Sequence, residues 1–374
     1  MREVARIGGS VLLAALAALV MGLPSSAYSQ NVRSGDVIDY IDSLIGEIAD
    51  ATPADLYVEP TAPEQDLWQQ IIIDMANGHY ADAHAEAAPL NYRVTQFTDL
   101  SQTPNRTFYI LERIPGSTTT WWGTFAFNAQ PIRPRLVIQS PHPLQNRNTG
   151  NQGLRVFHAA GAWSLFVAGT HKCNSTIYTP CTGETSTSCS VDPEPYRHCD
   201  QAHTVQGTFQ LSTEVLLQIR PDIIVIQPHG FTKGTTDPYL IMSNGTRFTP
   251  TDTDWVVTLR DNLLLQDNTL TFKIAHVDLS WTKFVGRENV QGRLVNNSSN
   301  PCNAFATSTT GRFIHLEQAY SKLRDTEANW YKLANAVVAT FPPICCVKRG
   351  DLNGDGKVIV SDLTFLVVFL FKGG

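Results

Sequence analysis

Four short apolar runs of this chain each carry a histidine or a glutamate at or near their end. They are Leu136–Ser140 followed by Pro141-His142, Ser164–Gly169 followed by Thr170-His171, Ile223–Gln227 followed by Pro228-His229-Gly230, and Phe313-Ile314-His315-Leu316-Glu317. Neutral imidazole is the commonest protein ligand for zinc, and catalytic zinc keeps three protein ligands and one open position. A carboxylate beside such an ion serves as base toward water. His142, His171, His203 and His229, with the carboxylates Asp200 and Glu317, are therefore the side chains from which such a site could be drawn. His171 and Arg293 are candidates to stabilise an oxyanion or hold a substrate carboxylate. Asp200 and His203 stand three apart, so a helix starting there would set both side chains on one face. Arg293 falls in a polar loop, Gln291-Gly292-Arg293. His79, His84, His158 and His276 lie outside the strand-end pattern and read as ordinary residues.

The elements that must position these residues follow from periodicity. β-Branched apolar runs of four to eight residues bounded by Gly or Pro read as buried strands, and strands buried on both faces belong in an α/β sheet. Ligands in open α/β sheets bind at the carboxyl ends of the strands. Helical spacing runs through Gly35 to Ile48 and Leu67 to Ala76, with a Pro-rich connector, Thr52 to Pro63, between them. Strand-like segments at Tyr92–Phe97, Phe108–Glu112 and Trp122–Phe127 read as an antiparallel meander leading into the strand at Leu136. Helical stretches at Gly150–Ala160, Thr204–Ile219 and Leu323–Ala339 alternate with the remaining strands. The predicted fold class is α/β, a mixed, mostly parallel sheet flanked by helices.

The net charge of −6 over 374 residues gives no footing for nucleic acid as partner. Arg2 and Arg6, then the apolar stretch Val11–Leu23, then small residues, have the form of a signal peptide over residues 1–30. The apolar stretch is too short to span a membrane, and no transmembrane segment is expected once it is removed. Export to the periplasm, the cell surface or the medium suits the seven cysteines, Cys173, Cys181, Cys189, Cys199, Cys302, Cys345 and Cys346, as disulfide formers. Four of them fall within 173–199, a Ser-, Thr- and Pro-rich window read as a loop stapled by one or two bridges; an odd total leaves one thiol over.

Beyond Phe341-Pro342-Pro343 the composition changes. Asp351, Asn353, Asp355 and Asp362 occupy positions 1, 3, 5 and 12 of a calcium loop, Gly356 takes the sharp turn at position 6, and Lys357 offers its carbonyl at position 7. Asp at position 12 with a helix after it resembles one type I dockerin repeat. That resemblance implies Ca2+ binding and a cohesin-like or envelope partner; a complete dockerin has two repeats.

Over residues 92–340 the order strand–His, strand–His, strand–Pro-His-Gly, strand–Glu resembles the N-formylglutamate amidohydrolase and poly-γ-glutamate hydrolase group, related in fold to zinc carboxypeptidases. The resemblance implies zinc held by His142 and His229, with Glu317 as base. A zinc carboxypeptidase has Glu three residues after the first His; here that residue is Gln145, followed by Asn146. Asp200 or His203 is then expected to complete the site. The organisation expected is a signal peptide (1–30), an N-terminal helical segment (31–91), an α/β metal-site domain (92–340), a linker (341–349) and a dockerin-like half repeat (350–374). The function expected is an exported zinc amidohydrolase or peptidase acting on a small peptide-like or acyl-amino-acid substrate. The alternative is a non-catalytic extracellular binding or scaffold protein built on a degenerate hydrolase fold. No nucleophile elbow, phosphate loop or His-Glu-x-x-His helix occurs.

Overall fold

The computed structural model describes residues 31–52, 54–343, 359–360 and 363–364. The predicted signal peptide, Cys345, Cys346 and the calcium-loop residues Asp351, Asn353, Asp355, Lys357 and Asp362 lie outside the described residues.

In chain order the elements are β1 (Asn31–Gly35), α1 (Val37–Gly46), α2 (Ala62–Asn77), α3 (Tyr80–Ala87), β2 (Tyr92–Asp99), β3 (Arg106–Arg113), β4 (Thr124–Asn128), β5 (Arg133–Ser140) and α4 (Thr149–Ala160). They continue with β6 (Ala162–Val167), α5 (Thr208–Ile219), β7 (Ile224–Phe231), β8 (Leu240–Ser243), α6 (Trp255–Gln266), β9 (Phe272–Ile274), α7 (Val290–Val295), β10 (Phe313–Ala319) and α8 (Glu327–Thr340). The strands form one mixed sheet in the order β1-β2-β3-β4-β6-β5-β7-β10-β8-β9. Its central run, β6-β5-β7-β10, is parallel throughout.

Two corrections concern topology. The meander β2-β3-β4 joins the parallel run through β6, not through the strand at Leu136. Residues 31–91 are not purely helical, because β1 pairs in parallel with β2. Helix α2 also begins earlier than its apolar spacing implied. Thr61 and Glu64 form a capping box ahead of Ala62, and Gly78 ends the helix at φ 83°.

Alternation along each central strand divides the core in two. Leu136, Ile138, Ile224, Ile226, Ile314 and Leu316 enter a cluster on one face, with side chains of α1, α4, α6 and α8. Val137, Val225 and Phe313 enter a second cluster on the other face, with side chains of α2, α3 and α5 and with Val295 of α7. Side chains two apart on a strand share a face. The second face therefore runs from Val137 to Gln139, from Val225 through Gln227 to His229, and from Phe313 through His315 to Glu317. Along it, buried hydrocarbon gives way first to amides and then to imidazoles and a carboxylate. The ladder register sets His315 opposite Gln227 and Glu317 opposite His229.

Two disulfides, Cys173–Cys189 and Cys181–Cys302, tie down the long segment between β6 and α5. One bridge lies inside the 173–199 window, and the other leaves it for the stretch after α7. Cys199 is a free, buried thiol whose pKa is pushed up to about 11 by desolvation. No described helix is long and apolar enough to cross a membrane.

Candidate metal centre

A cavity of about 1080 Å³ opens over the carboxyl ends of β5, β7 and β10, and His142, His203, His229, His315 and Glu317 line it. His142 lies two residues beyond β5, where Pro141 ends the ladder; His229 and Glu317 are still within β7 and β10. All are largely buried.

Each imidazole of the site meets a polar partner or another ring. His142 Nε2 lies 2.7 Å from Asp200 Oδ1, and His203 Nδ1 lies 2.9 Å from the same oxygen. The backbone N–H of Ala202 also donates to that oxygen at 3.2 Å. Asp200 is 2% exposed. Burial opposes its charge, but the two histidines outweigh burial and hold its carboxyl well below the usual range. Asp200 is thus an acceptor, and His142 donates from Nε2. Burial lowers the pKa of His142, against the pull of Asp200, and a neutral ring that donates from Nε2 has a lone pair at Nδ1.

His229 is constrained in the same way. Its Nε2 lies 3.1 Å from Gln227 Oε1, and burial with the neighbouring imidazoles of His315 and His142 holds its pKa well below the ordinary value. Its Nδ1 lies 3.2 Å from His142 Nδ1. Asn146 Oδ1 also lies 3.2 Å from His142 Nδ1, and the Asn146 amide is oriented by Nδ2 donating to Gly230 O at 2.7 Å. His229 Nδ1 and Asn146 Oδ1 thus each stand 3.2 Å from His142 Nδ1. Two ligands of a tetrahedral zinc stand about 3.3 Å apart. The 3.2 Å separations match that spacing, so the donor set fits a zinc-like cation.

His315 and Glu317 complete the floor. Glu317 Oε2 and His315 Nδ1 are buried and have no hydrogen-bond partner among the described residues. The His315 and His229 rings lie 4.3 Å apart, centroid to centroid. Desolvation pushes the Glu317 carboxyl up to about 7, while the charges of Lys172 and Arg324 act in the opposite sense. Desolvation likewise lowers His315 to about 3. Arg324 is buried and donates to Gln318 O and Arg147 O. Its guanidinium passes so close to Gly230 that a Cβ there would lie 2.1 Å from Cζ. That contact is the physical reason for glycine in Pro228-His229-Gly230.

Several expectations need correction. Asp200 and His203 are brought together, but on a turn in which His203 N donates to Asp200 O; the following helix begins only at Thr208. Asp200 Oδ1 lies at hydrogen-bond distance from His142 and His203, and these three residues bring possible ligand atoms within 4.8 Å of one another, as do His229, His315 and Glu317. His171 is not among the cavity-lining residues; its Nδ1 accepts from Cys173 N, within its own turn. Arg293 is not in a polar loop. It lies on α7, is 2% exposed, and donates to the carbonyls of Arg287, Thr182, Pro301 and Cys302, which braces the chain around the Cys181–Cys302 bridge. Its place in the cavity wall is taken by other cations, Arg147, Lys172, Lys233, Arg247, Arg287 and Arg324, against the carboxylates Glu184, Glu288 and Glu317. Asn146, His315 and Gln227 are functional candidates that the sequence pattern did not single out. His315 and Gln227 were nonetheless visible by their two-residue offset from Glu317 and His229.

No family model matches the chain, and no curated protein does. Among solved structures the chain is similar to an aspartoacylase family protein from Mesorhizobium loti, at 10% identity over 59% of this chain and 62% of that one, with a TM-score of 0.31. It is similar to a metallo-carboxypeptidase from Burkholderia cenocepacia, at 8% identity over 76% and 69%, TM-score 0.33. It is also similar to a metallo-carboxypeptidase from Pseudomonas aeruginosa, at 12% identity over 63% and 60%, TM-score 0.31. The chain thus spans less than two thirds of the aspartoacylase family protein it matches.

Proposed function

We propose that the protein is an exported, zinc-dependent hydrolase of amide bonds in small peptide-like or acyl-amino-acid substrates. The observation that carries this reading is that His229 Nδ1 and Asn146 Oδ1 each lie 3.2 Å from His142 Nδ1, with the buried Glu317 carboxylate within 4.8 Å of a His229 ring nitrogen. The side chains of His142, His229 and Asn146 would hold the ion. Bound zinc supplies electrophilic polarisation of a carbonyl and acidifies water.

The remaining roles belong to the chain itself. Glu317 receives a proton from water through its unpartnered Oε2 and passes it to the departing nitrogen. Asp200 keeps His142 in the tautomer with Nδ1 free. The excess of cations in the cavity wall holds a substrate carboxylate, with planar guanidinium groups suited to bidentate contact. Export rests on the form of residues 1–30 and on the two disulfides. The C-terminal loop is proposed to bind Ca2+ through Asp351, Asn353, Asp355, Lys357 and Asp362 and to attach the enzyme to a cohesin-like or envelope partner.

The test is metal analysis by mass spectrometry on the purified chain beside His142→Ala and His229→Ala. About one zinc per chain, lost in both variants, supports the reading. Glu317→Gln should then keep its zinc and lose roughly 10²–10⁴-fold in amide hydrolysis. A chain with no transition metal overturns the reading. It would favour the non-catalytic binding protein, for which Gln145 in place of a carboxylate, followed by Asn146, is the specific indication.

A further inference from the structure

Gln227 lies behind His229, in a buried amide network whose polarity is anchored at both ends by backbone groups. At one end, Asn289 caps α7: its Oδ1 accepts from Gly292 N at 2.8 Å. A backbone N–H can only donate, so the amide of Asn289 has one orientation, and its Nδ2 faces Gln227 Oε1 at 2.6 Å. At the other end, Thr213 donates its hydroxyl to Phe209 O, which leaves Oγ1 to accept from Gln139 Nε2 at 2.9 Å. Gln139 Oε1 then accepts from Gln227 Nε2 at 2.7 Å, and Gln291 Oε1 accepts from the same nitrogen at 3.2 Å. Gln139, Gln227 and Gln291 are 0% exposed, so no water competes for these groups. Both ends demand the same orientation of Gln227: amide nitrogen toward Gln139 and Gln291, amide oxygen toward Asn289 and His229.

We infer that Gln227, set by the helix cap at Asn289, is a positioning residue that holds the His229 proton on Nε2 and leaves Nδ1 free as a metal ligand. The inference deepens the zinc reading and, as far as ligation is concerned, rests on it. The oxygen of Gln227 meets His229 Nε2 at 3.1 Å and can only accept. The opposite tautomer would put two acceptors face to face in a dry site and would block Nδ1 with a proton. Outer partners of this kind change metal affinity by about 10–100-fold.

Two measurements on the full chain test this. The first uses no metal and no change to the network: nitrogen-15 NMR of the metal-free protein, with the His229 signal assigned by its loss in His229→Gln. A proton on Nε2 is expected; a proton on Nδ1 overturns the inference, whatever the fate of the zinc reading. The second compares zinc affinity, by competition with a chelator, in the parent, Gln227→Met and Gln227→Glu. Methionine removes the acceptor and should weaken binding about 10–100-fold. Glutamate keeps an acceptor for His229 and should hold affinity near that of the parent. Melting of each chain in the presence of chelator separates lost ligation from lost folding. A parent that binds zinc, with a folded Gln227→Met chain that binds it equally well, overturns the inference and leaves the zinc reading standing. A parent that takes up no zinc overturns the zinc reading alone, and the NMR result still judges the tautomer.

Discussion

The Nδ1 atoms of His142 and His229 face one another across 3.2 Å. On its far side each ring meets an acceptor oxygen, Asp200 Oδ1 for His142 and Gln227 Oε1 for His229, and with the ring protons there both Nδ1 atoms are lone pairs. Two bare lone pairs at that distance repel unless a cation lies between them. The geometry therefore stores an electrostatic demand that the neutral chain does not itself meet. A metal answers it better than a proton, because Asn146 Oδ1 stands at the same distance from His142 and adds a third donor.

The first prediction concerns that third donor. Asn146→Leu leaves the two imidazoles in place and removes the amide oxygen, so zinc affinity should fall, by about tenfold or more on the scale of a lost partner at a metal site. Asn146→Asp supplies a charged oxygen at the same position and should raise affinity above the parent. Chelator competition on the two variants gives the order directly. Equal affinities would exclude Asn146 from the ligand set.

Asp200→Asn should weaken zinc binding by about 10–100-fold although the residue holds no metal itself. The carboxylate accepts from His142, His203 and the Ala202 N–H on one oxygen. Because all three bonds fall on one oxygen, the amide oxygen can keep them, but as a neutral acceptor it holds the two imidazoles less strongly. The metal-free variant should also melt earlier, because hydrogen bonds to a charged acceptor are roughly twice as strong as those to a neutral one. Isothermal titration with zinc, alongside melting curves, reads both effects; unchanged affinity would return Asp200 to the role of a simple turn residue.

The placement of His142, His229 and Glu317 was legible because each follows from local chemistry. Pro141 and Pro228 interrupt β-branched runs, and a residue at such a break lies at the carboxyl end of a buried strand. His315 was equally visible in its run but reads there as strand filling, since periodicity reports a face and not what that face meets. Asn146 is a poor zinc ligand by type, and only the bond from its Nδ2 to Gly230 O shows that its oxygen is held toward the imidazoles. Arg293 misled for a related reason. Charge beside glycine reads as loop, yet its acceptors come from Thr182, Pro301 and Cys302, and no local pattern announces a carbonyl 111 residues away. Helix α6 was missed because Val257, Leu264 and Leu265 spread its apolar residues around the barrel, while only Val256, Leu259 and Leu263 are buried.

Gly230→Ala should destabilise the protein and also weaken the site. A Cβ would fall 2.1 Å from Arg324 Cζ and 2.4 Å from Nη2, so the guanidinium must leave its carbonyl partners or β7 must move. Overpacking of this kind costs about 1–3 kcal/mol. Because Asn146 is oriented by Gly230 O, a shift of β7 also loosens the third donor. The expected result is a lower melting midpoint together with reduced zinc affinity. A melting curve identical to that of the parent would mean that Arg324 finds an equally good place elsewhere.

Acid sensitivity away from the site should trace to Asp99, at the end of β2. Its side chain is 0% exposed, and burial alone would raise its pKa. His158 Nε2 at 2.8 Å and the backbone and hydroxyl groups of Ser101 overcome burial and hold the carboxyl below the usual range. A folded pKa below the unfolded value, about 3.9 for Asp, gives stability that is complete above that pH and lost as pH falls through the folded value. Asp99→Asn should therefore be less stable than the parent at pH 7, by about 1–3 kcal/mol for a lost buried partner. The difference should shrink as the medium is taken toward pH 3, where the parent begins to lose the same contribution. Urea midpoints for both chains at the two pH values give the comparison. A gap of constant size would show that the Asp99–His158 contact is not linked to protons and that the acid limb arises elsewhere in the fold.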